Sequence, residues 1–315
     1  MAIVKNDARI AVGLAALGRP AYINLGRTAE LPEGRDVAAM RAATDAVLDR
    51  AYAAGVRRVD VARSYGRAEE FLAGWLADRG HDDIVVSSKW GYAYVGGWRL
   101  DAPVHEEKQH SLTRFREQWR QTSDLLDGRL SLYQVHSLTA DSPLFGDEPL
   151  LEALAELAAS GVRVGFSTSG PAQADTIRRA LELRVAGEPV FTAVQSTWNV
   201  LEASAGLALT EAHDAGALVQ LKETLANGRL AVSPPTALAE IADARGVPAD
   251  AVALAAAFAL SWADVVLVGP AGVAQLDANL AGAGLELTDD ELAVLADLRE
   301  DPVDYWAHRA RLAWQ

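Results

Sequence analysis

Four residues along the chain have side chains suited to moving protons: Asp60 and Tyr65 in RRVDVARSYG, Lys89 in IVVSSKWG and His136 in LSLYQVHS. Taken singly, each has an ordinary structural role, as a helix cap, a ring packed under a loop, a solvated ammonium or a satisfied interior imidazole. Taken together they form an acid/base set. A tyrosine that ordinarily titrates near pKa ~10 becomes usable closer to neutrality beside a cation, and an aspartate can hold that cation in place.

Such a set works only if separate stretches of chain carry its members to one place. Asp60, Lys89 and His136 each close a short apolar run, and Tyr65 follows Asp60 by five residues. Runs of this kind occur eight times, at 23–25, 57–60, 83–88, 130–136, 162–167, 191–195, 217–221 and 265–268. Longer helical patterns lie between and after them, at 36–54, 67–79, 111–127, 148–160, 172–185, 202–215, 248–261 and 273–281. Alternating strands and helices imply βαβ units on a parallel sheet, and eight of them imply a closed (β/α)8 barrel. In such a barrel the active site lies at the C-terminal ends of the strands, where Asp60, Lys89 and His136 fall. Gly55 and Gly161 follow helical stretches at the position that favours a left-handed residue.

Segments 9–12 and 21–23 flank a Gly/Pro turn and read as an N-terminal hairpin plugging one barrel end, which competes with the first strand for Ile23. Beyond the eighth unit a further helix is expected at 289–299, opened by Thr288 with Glu291 at the capping-box position. The expectation is a single α/β domain over residues 1–315, a (β/α)8 barrel with an N-terminal β-hairpin and an extra C-terminal helix.

Composition narrows the function. Half of the 315 residues are hydrophobic and 23% charged, as in ordinary globular proteins. The absence of cysteine excludes disulfides, thiolate nucleophiles and cysteine-bound metals. A net charge of −14 disfavours nucleic acid and anionic membranes as partners. With no early signal pattern and no long apolar run, a soluble cytoplasmic protein is expected. The sequence sets no oligomeric state.

The run AYAAGVRRVDVARSYGRAEEFLAGWL resembles the stretch of the aldo-keto reductase family in which a strand ends in Asp and Tyr-Gly precedes a helix. SSKWG resembles that family's lysine strand, RLSLYQVHS its histidine strand, SGVRVGFSTSG and VQSTWN its fifth and sixth strands, and VGPAGVAQLDANL its cofactor loop and last barrel helix. The resemblance implies that Tyr65 is the general acid in carbonyl reduction and the base in the reverse direction. Lys89 would lower its pKa, Asp60 would pair with Lys89, and His136 would orient the substrate carbonyl. The hydride would come from a nicotinamide cofactor, with a small carbonyl or alcohol compound as substrate.

For that cofactor the resemblance implies Ser167, Thr168 and Gln195 at the carboxamide, although Thr168 replaces the usual asparagine. Lys222 falls near the position of an aromatic ring that stacks on the nicotinamide, and Gly269, Gln275 and Asn279 hold the adenosine half. The family habit is NADP(H), with NAD(H) the alternative. The loop Val268-Gly269-Pro270-Ala271-Gly272-Val273-Ala274-Gln275 carries no Lys or Arg for a 2′-phosphate, leaving Arg229 from another loop as a candidate.

Segment 90–110, with Trp90, Tyr92, Tyr94, Trp98 and glycine hinges, reads as a pocket wall over a nonpolar substrate. His105 and His110 lack a carboxylate partner at metal spacing, so no metal is expected. Two other classes compete: a cofactor-binding, redox-sensing barrel with weak catalysis, and a metal-dependent hydrolase. The intact set of four argues against the first, and a single strand-end histidine against the second.

Overall fold

The computed structural model of the chain describes residues 9–315; the first eight residues of the expected domain lie outside them. Eight parallel strands close into a barrel: β1 (Ile10–Gly13), β2 (Arg58–Asp60), β3 (Val85–Trp90), β4 (Leu130–Leu138), β5 (Arg163–Thr168), β6 (Ala193–Thr197), β7 (Leu218–Lys222) and β8 (Val265–Val268). Closure comes from β1, which pairs with β8 on one side (Ile10 opposite Val266) and with β2 on the other (Gly13 opposite Asp60). Around the barrel lie α1 (Val37–Ala53), α2 (Ala68–Arg79), α3 (Leu112–Leu126), α4 (Glu148–Ala159), α5 (Gln173–Leu181) and α6 (Gly206–Asp214). They are followed by α7 (Thr236–Arg245), α8 (Ala249–Phe258), α9 (Val273–Gly284), α10 (Asp289–Ala296) and α11 (Pro302–Ala310). Among the described residues no helix is long and apolar enough to cross a membrane.

The barrel and seven of the eight expected strands are in place, but the start of the chain differs from its reading. Among the described residues, 9–12 and 21–23 do not form the expected hairpin: Ile10–Gly13 is itself the first barrel strand, and 21–25 is irregular loop. Burial explains the exchange. Ile10, Ala11 and Val12 are covered on both faces, as a barrel strand between core and helices must be. Residues 22–25 leave the barrel after Pro20 and include Asn24 at the mouth, where a loop with polar groups can be solvated. Helix α7 has no counterpart among the expected helical stretches. It is set off by Pro234-Pro235 before it and Gly246 after it, the latter at φ 65°.

The C-terminal helix is capped as expected, with Thr288 Oγ1 accepting from the Glu291 amide and the Glu291 carboxylate accepting from the Thr288 amide. Beyond it the chain forms a second helix, α11, and a tail that returns to the barrel mouth. There the backbones of Tyr22 and Gln315 exchange hydrogen bonds of 3.1 and 3.0 Å. Buried Arg27 fastens the same region by donating to the carbonyls of Ala16, Arg19, Pro20 and Gln315.

Candidate active site

A cavity of about 380 Å³ opens at the C-terminal ends of the strands. Asp60, Tyr65 and His136 line it, and Lys89 lies directly behind them, fully buried. Strand pairing places Asp60 beside Ser87, two residues before Lys89. The Lys89 ammonium donates to the Asp60 carboxylate and, at 3.2 Å, to the Val61 carbonyl. Asp60 also accepts from Ser87 Oγ at 2.7 Å and from Gln195 Nε2 at 3.2 Å, so its charge is both paired and hydrogen-bonded, the condition for burying it.

Tyr65 owes its place to two glycines. A Cβ on Gly18 would stand 2.3 Å from the Tyr65 carbonyl, and one on Gly66, at φ +62°, would stand 2.4 Å from the Gly18 carbonyl. The loops after β1 and β2 therefore run backbone against backbone, with the Arg67 amide donating to Gly18 O at 2.7 Å. The contact fixes Tyr65 over Lys89, whose Nζ is 5.0 Å from the ring centroid. The His136 ring stands edge-on to it at 5.5 Å, and its Nδ1 lies 3.3 Å from Ser64 Oγ. With Nδ1 so engaged, Nε2 is the ring nitrogen left for a ligand.

The same contact brings in a residue that sequence reasoning missed. Arg19 follows Gly18 and is 1% exposed, its guanidinium 5.2 Å from the Tyr65 ring centroid, 4.6 Å from that of Tyr22 and 4.9 Å from that of Trp314. It donates to Ser64 O at 3.0 Å and pairs with Glu106 at 2.7 Å.

Burial raises the Tyr65 phenol well above its ordinary pKa, Asp60 adds to the rise, and Arg19 opposes it. The expected lowering is thus outweighed: Tyr65 is a phenol at neutral pH, the proton-donating form. Burial followed by the cations Lys89, Lys222 and Arg19 pushes His136 well below its usual value, so the imidazole is neutral.

A second charged group stands at the end of β7. Lys222 Nζ donates to Thr197 Oγ1 at 2.9 Å and lies 3.5 Å from Glu223. Glu223, at φ 53°, is gripped by Arg309 of α11, whose Nε reaches its two carboxylate oxygens at 3.0 and 2.8 Å. Burial alone would raise the Glu223 carboxyl, but Arg309 and Lys222 outweigh it and hold it at about 2. Burial lowers Lys222 to about 8, with Glu223 pulling it up and Arg309 and Lys89 pulling it down. Glu223 sits one residue past a strand end, so the strand-end rule reaches it. Arg309 offers no such signal, because only the docking of α11 on the barrel mouth brings it there.

The residues expected to hold a cofactor divide into two sets. Gln195, Lys222, Gly269, Gln275 and Asn279 line the cavity. Ser167 and Thr168 do not: Ser167 Oγ accepts from the Ser137 amide at 2.8 Å, and Thr168 Oγ1 is 2.7 Å from Ser196 Oγ and 3.4 Å from Gln173. Ser169, one residue on, lines the cavity instead. At the far end Gln275 bridges Ala271 N and Gly26 O, and Asn279 donates to Asp250 at 3.0 Å. Arg229 is paired with Glu300 and is not spare.

In segment 90–110 only Tyr92 of the four aromatics lines the cavity. Trp90 packs in the core against Phe115, while Trp98 packs against Phe71 and donates to Arg35 O at 2.9 Å. His105 stacks on Trp314, and His110 bonds Ser142 Oγ and His136 O.

The model of the Aldo/keto reductase family matches residues 25–300. The norsolorinic acid reductase of Emericella nidulans is 27% identical over 281 residues, covering 80% of this chain and 70% of that protein. Two solved structures from Pseudomonas aeruginosa, each described as a candidate aldo-keto reductase, superpose with TM-scores of 0.64 and 0.63, at 20% and 21% identity. Each comparison covers 88% of this chain and 89% of the other, and shows the shared fold. The strand-end tyrosine cavity, the eight-stranded barrel and a family match over most of the chain converge: this protein belongs to the aldo-keto reductase family, whose members are carbonyl-reducing oxidoreductases.

Proposed function

We propose that the chain reduces an aldehyde or ketone, or oxidises the corresponding alcohol or sugar, with Tyr65 as general acid/base and NAD(P)H as the hydride carrier. The observation that carries the reading is the Tyr65 phenol at the cavity wall, between the Lys89–Asp60 pair and the neutral His136 ring. When bound, the nicotinamide supplies or accepts the hydride. Tyr65 gives its proton to the carbonyl oxygen and becomes a phenolate, a charge that Lys89 and Arg19 face from within 5.2 Å of the ring centroid. His136, uncharged, holds the carbonyl oxygen through Nε2 without competing as an acid.

The cavity fits a dinucleotide in two respects. Asn227 Oδ1 is buried there without a hydrogen-bond partner, an acceptor suited to a ribose hydroxyl or an amide, and the wall at Gly269 faces open space. Charge fits NADPH less well. The expected basic side chain is absent, the Glu30 carboxylate lies where a Cβ on Gly272 would stand, and Asp250 faces the same end. NADP(H) remains the family's habit. Because a charge-assisted hydrogen bond contributes roughly 1.5–3 kcal/mol, losing it should hold the preference for NADPH over NADH below about 100-fold. Cofactor-absorbance assays on an aldehyde, ketone and sugar panel test the reaction, and fluorescence titration with both reduced cofactors tests the preference. Failure of every carbonyl on the panel would overturn the reductase reading, and a preference for NADPH of about a thousandfold would overturn the expected weak discrimination between the cofactors.

A further inference from the structure

The protein carries a formal charge of −14, yet the catalytic end of its cavity has the opposite balance. Four cations gather there, Arg19, Lys89, Lys222 and Arg309, with three carboxylates, Asp60, Glu106 and Glu223. Three pairs are matched one to one: Arg19 with Glu106, Lys89 with Asp60, and Arg309 with Glu223. Lys222 is the fourth cation. The carboxylate nearest it, Glu223 at 3.5 Å, is the one Arg309 already grips through both oxygens. Arg309 and Lys89, cations themselves, work against its charge. An ammonium has three N–H donors; Thr197 Oγ1 takes one and Glu223, at the limit of hydrogen-bond range, a second. The side chain remains 15% exposed, and Lys222 lines the cavity that Tyr65 and His136 share.

A largely buried ammonium without a carboxylate of its own is costly, and a bound oxyanion removes that cost. We propose that Lys222 anchors a carboxylate on the substrate, so that this enzyme acts on carbonyl compounds that also bear an acid group. The inference deepens the reductase reading and rests on it for the identity of the substrate, but the anion site itself does not depend on turnover. Tyr22, Tyr92 and Trp314 line the same cavity and give the body of such a substrate aromatic surfaces. An oxyanion of the cofactor would carry the same chemistry, and the test separates the two sources.

The experiment compares 4-carboxybenzaldehyde with its methyl ester, by calorimetric binding and by KM, in the wild type, Lys222→Met and Lys222→Arg. The wild type should favour the acid by about 10-fold or more, Lys222→Met should bring the acid-to-ester ratio close to one, and Lys222→Arg should keep most of it. The ratio is internal to each variant, so a general loss of stability or cofactor affinity cancels. Equal binding of acid and ester by the wild type would overturn the inference, as would a ratio untouched by Lys222→Met. So would a Lys222→Met variant that loses affinity for the reduced cofactor while keeping the acid preference. If calorimetry shows the preference while no carbonyl is turned over, the anion site stands and the reductase reading falls.

Discussion

The barrel has a cavity at each end, and the two are close in size: about 380 Å³ at the C-terminal ends of the strands and about 310 Å³ at the N-terminal ends. Volume does not separate them. The upper cavity is walled by Tyr65, His136, Lys222 and Glu223, all with strongly displaced pKa values, over the buried Lys89–Asp60 pair. The lower one is walled by Val85, Leu132, Leu218 and Val265 and rimmed by Arg58 and Arg163. Loops explain the difference. Above, the crossovers after β1, β2 and β7 and the helix α11 pack charged groups against one another. Below, strands begin straight after short turns from helices, and the described residues bring few charged side chains to the opening. The two ends meet at a polar floor, where Ser87 and Gln220 of the lower cavity bond Asp60 and Gln195 of the upper.

If that contrast carries the function, substitutions at the upper end must cost orders of magnitude in rate. Tyr65→Phe keeps the ring that packs against His136 and Arg19 and removes the hydroxyl that carries the proton. General acid–base groups typically supply ~100-fold or more, so reductase turnover should fall by at least that factor while cofactor affinity measured by fluorescence stays nearly unchanged. A variant retaining more than about a tenth of the wild-type rate would remove Tyr65 from the reaction.

Lys89→Met is the next test. Unit charges ~5 Å apart interact by about 3 kcal/mol at an effective dielectric of ~20, and Asp60 offsets part of this, so a rate loss of roughly 10- to 100-fold is expected. The sign of the pH effect is fixed by the environment. Without the ammonium, the Asp60 carboxylate is left unpaired near a phenol whose pKa already stands well above its ordinary value, and that pKa rises further. Alcohol oxidation needs the phenolate, so its rising limb should move to higher pH. An unmoved profile at measurable activity would break the link between Lys89 and Tyr65.

The same contrast explains what the sequence could reveal. Asp60, Lys89 and His136 were legible because each ends an apolar run, and strand pairing lines up the ends of neighbouring runs. Tyr65 was legible through the glycine beside it, which the backbone contact with Gly18 demands. The first strand was misplaced because two short apolar segments, around Ile10 and Ile23, compete locally, and only closure against β8 decides between them. Arg19, Glu106 and Arg309 were out of reach for a related reason. They come from a loop, the antiparallel ribbon of Tyr92–Tyr94 with Glu106–Lys108 and helix α11, and their chemistry arises where those packed segments meet. Trp98 shows the converse, since its aromatic type suggested a pocket wall whereas its ring belongs to the packing beneath.

The smallest expected effect is the control that gives the comparison its force. Arg163 opens β5 at the lower cavity, and its side chain is exposed. Arg163→Ala therefore removes a solvated cation from an opening close in volume to the active one. Surface substitutions away from packed or paired groups usually stay within about 0.5 kcal/mol, so Tm should move by no more than a degree or two. Turnover, KM and the acid-to-ester ratio should all stay within about twofold. Long-range electrostatics could transmit the change, but exposed charges separated by more than about 10 Å are largely screened at 0.1 M salt, and the polar floor keeps its hydrogen bonds whether or not Arg163 is present. A larger fall in turnover, with Tm unchanged, would mean that the lower opening takes part in the reaction and that the two ends of the barrel are not chemically separate.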